Sequence, residues 1–259
     1  MKTDIKVKPI NIWKSIILFG IPGLLLYLGL IYGIPYFQQL GFKDVFLFPF
    51  FLWLPLIPLL PVSILLFRKE KKNNPTLKLA DRFRLKRITK NDWLWIIAGV
   101  LTVFFFDFVI MEPISKWFAS KPLFSPPDHF PIFFNPLKEV DFPISTILGV
   151  PLHGNWLFLI VTIILHTIAM IAEEFLWRGY ILPRQEVKYG KHAWLVNGLL
   201  WGYLVHFFMK WNFISFLPSM LITPFIAQRT KNTWVSLMIH GIPNTILWII
   251  ILTGILGIG

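Results

Sequence analysis

The sequence contains no cysteine and few charged residues. Without cysteine there can be no disulfide bond, no cysteine nucleophile, no lipid on a thiol and no zinc held by thiolates. Charged residues make up 15% of the chain, whereas a soluble domain has about 25%. Acidic residues are the scarcest class, because 13 Asp and Glu stand against 25 Lys and Arg, which gives a net charge of +12.

Apolar residues make up 56% of the 259 residues, and they fall in long blocks. Such blocks are typical of membrane-spanning helices. We therefore predict an all-α polytopic membrane protein, a bundle of about seven transmembrane helices within a range of six to eight. The predicted spans are about 16–37, 45–67, 93–111, 156–182, 193–208, 213–227 and 233–256.

The basic residues lie between the apolar blocks, in loops that alternate with loops poor in charge. This alternation predicts a cytoplasmic N-terminus, in an integral membrane protein of a bacterial cell (inner) membrane. It also explains the net charge without a nucleic-acid partner. The densest basic loop, 68–92, is interpreted as a topology determinant with a solvated face; the alternative is that it binds anionic membrane lipid.

We divide the chain into three parts. Residues 1–112 form an N-terminal transmembrane region with the basic loop 68–92. Residues 113–154 form an outer loop rich in Pro and Phe, which proline prevents from being one helix; it either shapes a substrate entrance or merely connects two spans. Residues 155–259 carry most of the polar residues that lie within predicted spans, and we expect the catalytic core there.

Two adjacent glutamates, Glu173 and Glu174, interrupt an otherwise apolar stretch, and Arg178 follows. Ionisable groups in a span cost roughly 2.5–3.5 kcal/mol on insertion scales, so their presence needs a reason. Glu174 and Arg178 are four residues apart and can pair on one helix face. Glu173 points about 100° away and is free to exchange a proton with water, as a general base must. The alternative is a structural ion pair that joins this helix to a neighbour.

A second polar pair, His240 and Asn244, lies in the last predicted span and is also spaced by four residues. Pro243 cannot donate to the carbonyl of Ile239, so we expect a kinked or opened helix there. Two donors beside a kink could stabilise an oxyanion. Packing alone is the alternative explanation for either residue.

Three further polar residues lie in predicted spans. His206 ends an apolar run and is a candidate catalytic residue, although a lone histidine in a bundle is often structural. His166 lies two turns before Glu173 on nearly the same face and could line the cavity. Asp107 could pair with a His or Arg in the bundle. For His166 and Asp107 a structural role is the favoured interpretation.

Together these residues resemble the CPBP family, the type II CAAX prenyl protease and bacteriocin-processing family that is also called Abi. Its motif Glu-Glu-x-x-x-Arg matches Glu173, Glu174 and Arg178, and its motif His-x-x-x-Asn matches His240 and Asn244. In its motif Phe-x-x-x-His the histidine matches His206. The aromatic residue is displaced, because Gly202 holds its position and Trp201 lies one residue earlier.

The resemblance implies an intramembrane endopeptidase that cuts membrane-associated peptides or proteins, with prenylated ones among them. Glu173 and His206 would activate a water molecule, His240 and Asn244 would stabilise the oxyanion, and Arg178 would orient Glu174. Zinc bound by the glutamate and histidines is conceivable, but no His-Glu-x-x-His pair occurs, so we expect no metal and no other cofactor.

Two other functions fit the same composition: a non-catalytic immunity or binding protein of the same fold, and a proton-coupled transporter. A transporter should show paired half-repeats with broken spans, and the sequence shows none. The positions of Glu173 and His240 within their spans also predict a cavity that opens towards the cytoplasm, or laterally near that side.

Overall fold

The computed structural model describes residues 7–139 and 144–258, and nearly all of its regular structure is helical. The α-helices are α1 Ile12–Leu28, α2 Ile34–Gln39, α3 Asp44–Trp53, α4 Leu59–Asn73, α5 Leu79–Arg82, α6 Lys90–Phe105, α7 Met111–Ala119, α8 Trp156–Glu173, α9 Leu182–Tyr189, α10 Ala193–Leu200, α11 Leu217–Thr230 and α12 Thr233–Leu256. Wider π-helical turns occupy Gly29–Gly33, Phe106–Ile110, Glu174–Ile181 and Trp201–Val205. The short 3₁₀ turns are Ile132–Phe134, Gly190–His192 and Lys210–Asn212.

Three helical stretches are long and apolar enough to cross a membrane: Ile12–Gln39, Trp156–Val205 and Thr233–Leu256. They cover the first, fourth, fifth and seventh predicted spans. Large apolar side chains such as Trp13, Leu24, Leu94 and Leu157 are exposed on the outside of the bundle. Such a surface suits lipid and not water, so the protein is an integral membrane protein.

The second predicted span, 45–67, is not one helix. It is broken between α3 and α4 by a turn over residues 54–58. Pro55 and Pro58 lack the N–H that an α-helix needs, so the hydrogen-bond ladder stops there. The prediction of one continuous span over 45–67 is therefore wrong.

The third helix is longer than predicted. It begins at the capping box of Thr89 and Asp92 and continues through a π-helical turn into α7, which ends at Ala119. The helical stretch thus runs past the predicted end of the third span, at about residue 111. Pro113 is the third residue of α7, so the carbonyl four residues earlier that it cannot bond, that of Val109, lies in the π-helical turn, where the α-helical pattern is already interrupted.

The segment after α7 is irregular, as its prolines predict, and it packs against the bundle. Phe130 is fully buried against Phe48 and Trp211. A small antiparallel hairpin, β1 Thr146–Ile147 and β2 Val150–Pro151, pairs Thr146 with Pro151 and Ile147 with Val150. The rest of the predicted outer loop includes residues 140–143, which lie outside the described residues.

The last third of the chain forms the centre of the bundle. Helix α8 continues through its π-helical turn into α9, and the chain reverses at Gly190, whose φ of 56° favours glycine. Helices α10 and α11 pack against each other, and α12 packs against α6, α8 and α11. Gly23 of α1 lets this centre come close, since a Cβ there would lie 1.9 Å from the carbonyl oxygen of Leu204.

The basic segments meet on one face of the bundle, which we call the basic face. Arg82 pairs with Glu70 at 2.5 Å, and Arg184 also contacts Glu70. Arg84 pairs with Glu186 at 2.7 Å, and Lys231 contacts the same glutamate. The loops 68–92, 178–191 and 229–231 thus lie on the same side, as their alternation along the sequence predicts. Within the loop 68–92, Arg82 and Arg84 are paired with glutamates, whereas residues such as Arg68 and Lys72 are exposed, as expected of a loop with a solvated face.

Arg82 also supplies hydrogen bonds that the backbone cannot make in the helix after Arg178. Pro183 has no N–H for the carbonyl of Gly179, four residues earlier. The fully buried guanidinium of Arg82 donates to that carbonyl and to the carbonyl of Tyr180, both at 3.2 Å. The basic loop therefore holds the helix that carries the glutamate pair.

We predict a pH-dependent contribution of Glu70 to stability. Burial alone would raise the pKa of Glu70, but hydrogen bonds and charge from Arg82, with further hydrogen bonds from Arg184 and Tyr180, lower it from 4.5 to about 2. A lowered folded-state pKa stabilises the fold above the unfolded value, so this contribution is complete above about pH 4.5 and disappears as the pH falls towards 2.

The test compares the melting temperatures of wild-type protein and Glu70→Gln in detergent micelles between pH 7 and pH 3. The wild type should be more stable at pH 7, and the difference should shrink as the pH falls. A difference that stays constant across this range would contradict the account.

Candidate functional site

The glutamate pair lies where α8 changes into a π-helical turn. Glu173 ends α8 and Glu174 begins the turn. Arg178 Nη1 lies 3.5 Å from Glu174 Oε1, and both side chains are fully buried. The predicted ion pair is confirmed. π-Helical turns occur often at functional sites.

The guanidinium of Arg178 contacts an aromatic ring as well as a carboxylate. Its Cζ lies 3.7 Å from the centre of the Trp201 ring, a cation–π distance. None of its three nitrogens has a hydrogen-bond partner among the described residues. Arg178 is therefore held by charge and by stacking, between Glu174 and Trp201.

Glu173 contacts the same tryptophan at the N–H edge of its indole ring. Trp201 Nε1–H donates to Glu173 Oε2 at 3.0 Å. Glu173 keeps 6% exposure, whereas Glu174 has none. Of the two carboxylates, Glu173 is thus the one that water can reach. It is not free of protein contacts, however, because the indole fixes its orientation.

The π-helical turn Trp201–Val205 explains the displaced aromatic residue. In an α-helix residues four apart share a face, whereas the wider π-helical turn brings residues five apart together. Trp201 and His206 are five apart, and their rings meet edge to face at 5.5 Å. Trp201 therefore takes the place that the family motif gives to a phenylalanine. Sequence reasoning noticed Trp201 but assigned it no role.

His206 also binds the backbone of Trp201. Its Nδ1 lies 3.1 Å from the carbonyl oxygen of Trp201. Since a carbonyl can only accept, Nδ1 carries the hydrogen, and a neutral His206 keeps a lone pair on Nε2. That nitrogen can accept a proton or a hydrogen bond from water.

His240 pairs with Glu174. Its Nδ1 lies 3.1 Å from Glu174 Oε1, and its ring meets Trp201 at 5.0 Å. A carboxylate accepts this hydrogen bond, so Nδ1 carries the hydrogen. Asn244 uses one N–H of its amide on the carbonyl of His240, at 2.7 Å. Helix α12 is continuous through Pro243, so the expected opening of the helix is not seen.

His166 lies beside this group. Its ring stacks on Trp53 at 5.6 Å, and Trp248 Nε1–H donates to its Nδ1 at 3.2 Å. These contacts are those of a histidine that positions its neighbours.

Asp107 has a different partner from the one predicted. Its carboxylate accepts a hydrogen bond from Ser219 of α11. The expectation of a His or Arg partner is wrong, because the π-helical turn Phe106–Ile110 faces α11, which offers a hydroxyl at this level.

A cavity of about 310 Å³ reaches His206. Its walls include Tyr27 of α1, Phe216, and Leu123 and Phe124 from the segment after α7. That segment lies at the end of the bundle opposite the basic face. The expected opening towards the cytoplasmic side therefore does not describe this cavity.

The arrangement does not resemble a metal site. Among residues 7–139 and 144–258, no three His, Asp or Glu side chains are grouped as metal ligands would be. Glu174 is engaged by Arg178 and His240, and Glu173 by Trp201. The donor set around Glu173 therefore does not fit a zinc ion, whose three or four ligands converge.

Residues 155–246 match a family model described as Rce1-like, type II CAAX prenyl endopeptidase Rce1-like. The matched residues are thus similar to that family of peptidases. No curated protein and no solved structure matches the chain. The matched region runs from the start of α8 into α12, so it contains the glutamates, His206 and the pair His240 and Asn244. Members of the family are generally peptidases.

We predict that the two glutamates differ in their effect on stability. Glu174→Gln leaves Arg178 buried without a counter-charge, which typically costs about 3–5 kcal/mol. Glu173→Gln should cost far less, because an amide oxygen can still accept from Trp201. The measurement is the free energy of unfolding in mixed micelles of dodecyl sulfate and a mild detergent. Equal losses in the two variants would contradict the assignment.

Proposed function

We propose that the protein is an intramembrane endopeptidase in which Glu173 activates the water that attacks a peptide bond. The observation that carries the proposal is the state of Glu173: a glutamate with slight exposure, oriented by Trp201, in the region that matches the prenyl endopeptidase model. Hydrolysis of an amide needs a base that can take a proton from the attacking water molecule, and a carboxylate held in one orientation can do so.

His206 assists at the same water molecule. With its Nδ1 bound to the carbonyl of Trp201, its Nε2 can accept from water or relay a proton to the leaving amine. Trp201 contacts both groups, which keeps Glu173 and His206 in one relative position.

His240 and Asn244 stabilise the oxyanion that forms on the attacked carbonyl. His240 holds its Nδ1–H on Glu174, so its Nε2 faces away from that carboxylate; once Nε2 takes up a proton, for example from the attacking water, it can donate to the oxyanion. Asn244 has a second amide N–H besides the one that it gives to the carbonyl of His240. Glu174, held by Arg178, acts through His240 as an orienting residue.

The substrates are membrane-associated peptides or proteins, and the class includes prenylated ones. Two features support this. The site lies within helices that contact lipid, and the matching family model is named for prenyl endopeptidases. We propose a bacterial inner membrane as the location, with the N-terminus and the basic face in the cytoplasm.

The direct test is Glu173→Gln in purified protein, reconstituted in liposomes with a set of membrane peptides. An amide cannot accept the proton, so cleavage should fall by at least a hundredfold, while the unfolding curve stays close to that of the wild type. Asp107→Asn is a matched control: it also neutralises a carboxylate buried in the bundle, but away from Glu173.

Two results would overturn the proposal. Cleavage that persists in Glu173→Gln would remove the base, and a wild-type protein that binds peptides without cutting them would favour the non-catalytic immunity or binding protein. The same assay with a strong chelator tests the metal-free scheme. Activity should persist in chelator, and a loss that zinc restores would replace the scheme with a metal mechanism.

A further inference from the structure

The helices α10 and α11 are short, and the chain that connects them is largely irregular. After Val205 it passes through the 3₁₀ turn Lys210–Asn212 before α11 begins at Leu217. Irregular backbone at membrane depth is tolerated only where protein buries it or where it lines a cavity. Here the segment forms one wall of the cavity that reaches His206.

The cavity is almost entirely apolar. Aromatic side chains dominate its walls, among them Tyr27, Phe124, Phe213 and Phe216. A pocket of this kind binds apolar groups, and the few polar groups in it decide orientation and specificity.

Lys210 is the only cation among the residues that line this cavity. It is partly buried, and it forms no salt bridge with any carboxylate of residues 7–139 and 144–258. An ammonium group beside aromatic walls is costly unless it reaches water or meets an anion. Two other lysines near this end of the bundle have partners: Lys116 pairs with Glu112, and Lys138 donates to the carbonyls of Asp128 and Phe130.

We propose that Lys210 binds a carboxylate of the peptide substrate, while the aromatic walls receive the apolar side chains next to that carboxylate. The inference rests on the proposed function, since it takes the occupant of a cavity lined by His206 to be the substrate. The carboxylate is either the free C-terminus of the peptide or an Asp or Glu side chain, because both offer the same oxygen pair to an ammonium group.

The geometry favours a peptide over a lipid headgroup as the source of the anion. His206 and Lys210 are four residues apart and line the same cavity. A group bound at Lys210 therefore shares a cavity with His206, one of the residues proposed to act on the peptide bond. This would make the protein selective for bonds at a short distance from a carboxylate.

The experiment measures binding first and cleavage second, with the full-length protein in neutral-lipid nanodiscs. Three synthetic peptides of one apolar sequence are compared: one with a free C-terminal carboxylate, one with a C-terminal amide, and one amidated but with Asp in place of Asn near its end. The wild type should bind one of the two carboxylate peptides about tenfold more tightly than the neutral peptide. Which one it prefers identifies the source of the carboxylate.

The variant Lys210→Gln should lose this preference and bind the neutral peptide as the wild type does. Lys116→Gln is the matched control, since it removes an exposed lysine at the same end of the bundle and should keep the preference. A preference that survives in Lys210→Gln, or equal binding of all three peptides by the wild type, would overturn the proposal. So would an effect of Lys210→Gln that appears only when the nanodiscs contain anionic lipid, since that result points to a headgroup.

Binding and cleavage separate the two proposals. If the carboxylate peptides bind with the Lys210-dependent preference but are not cut, the carboxylate site stands and the endopeptidase proposal fails. If the peptides are cut at equal rates by the wild type and by Lys210→Gln and bind equally to both, the endopeptidase proposal stands and the carboxylate site fails.

Discussion

The buried guanidinium of Arg178 is the constraint on which the centre of the bundle depends. A positive charge without exposure needs a counter-charge, and Glu174 supplies it at 3.5 Å. The guanidinium lies over the ring of Trp201 in a cation–π contact. The indole N–H of that tryptophan donates a hydrogen bond to Glu173 and orients it. The other partner of Glu174 is His240. One ion pair and one indole ring therefore connect three helical segments that are distant in sequence.

Wide helical turns make this convergence possible. The turn at Glu174–Ile181 carries the ion pair, and the turn at Trp201–Val205 brings His206 under the ring of Trp201. Such turns have a cost, since the backbone bonding of a regular α-helix is lost. Near Pro183 that cost is offset from outside the helix, where Arg82 of the basic loop donates to the carbonyls of Gly179 and Tyr180. The basic face thus supports the region that contains the glutamate pair.

Periodicity and charge predicted much of this from the sequence. The first and last helices, the pair of Glu174 and Arg178, and the shared side of the basic loops follow from hydropathy and from i, i+4 spacing. The partners of Glu173 and His240 could not be predicted, because they depend on how separate helices pack. The π-helical turns were not predicted for a related reason. Each turn accommodates one extra residue in a helix, and the apolar composition of the segment is the same with or without it. The displaced aromatic at Trp201 was the one visible signal. The break at Pro55 and Pro58 was also visible, but the apolar residues around it favoured a single span.

The central claim is that Trp201 holds Glu173 in its working orientation, and a double-mutant cycle on peptide cleavage tests it most directly. Trp201→Phe keeps an aromatic ring for Arg178 and the histidines but removes the N–H that Glu173 accepts. The account predicts a fall in kcat of about tenfold to a hundredfold in the wild-type background, with KM nearly unchanged. In a Glu173→Gln background, followed by single-turnover measurement of residual cleavage, the same change should have little further effect. Independent, multiplying losses in the two backgrounds would contradict the account.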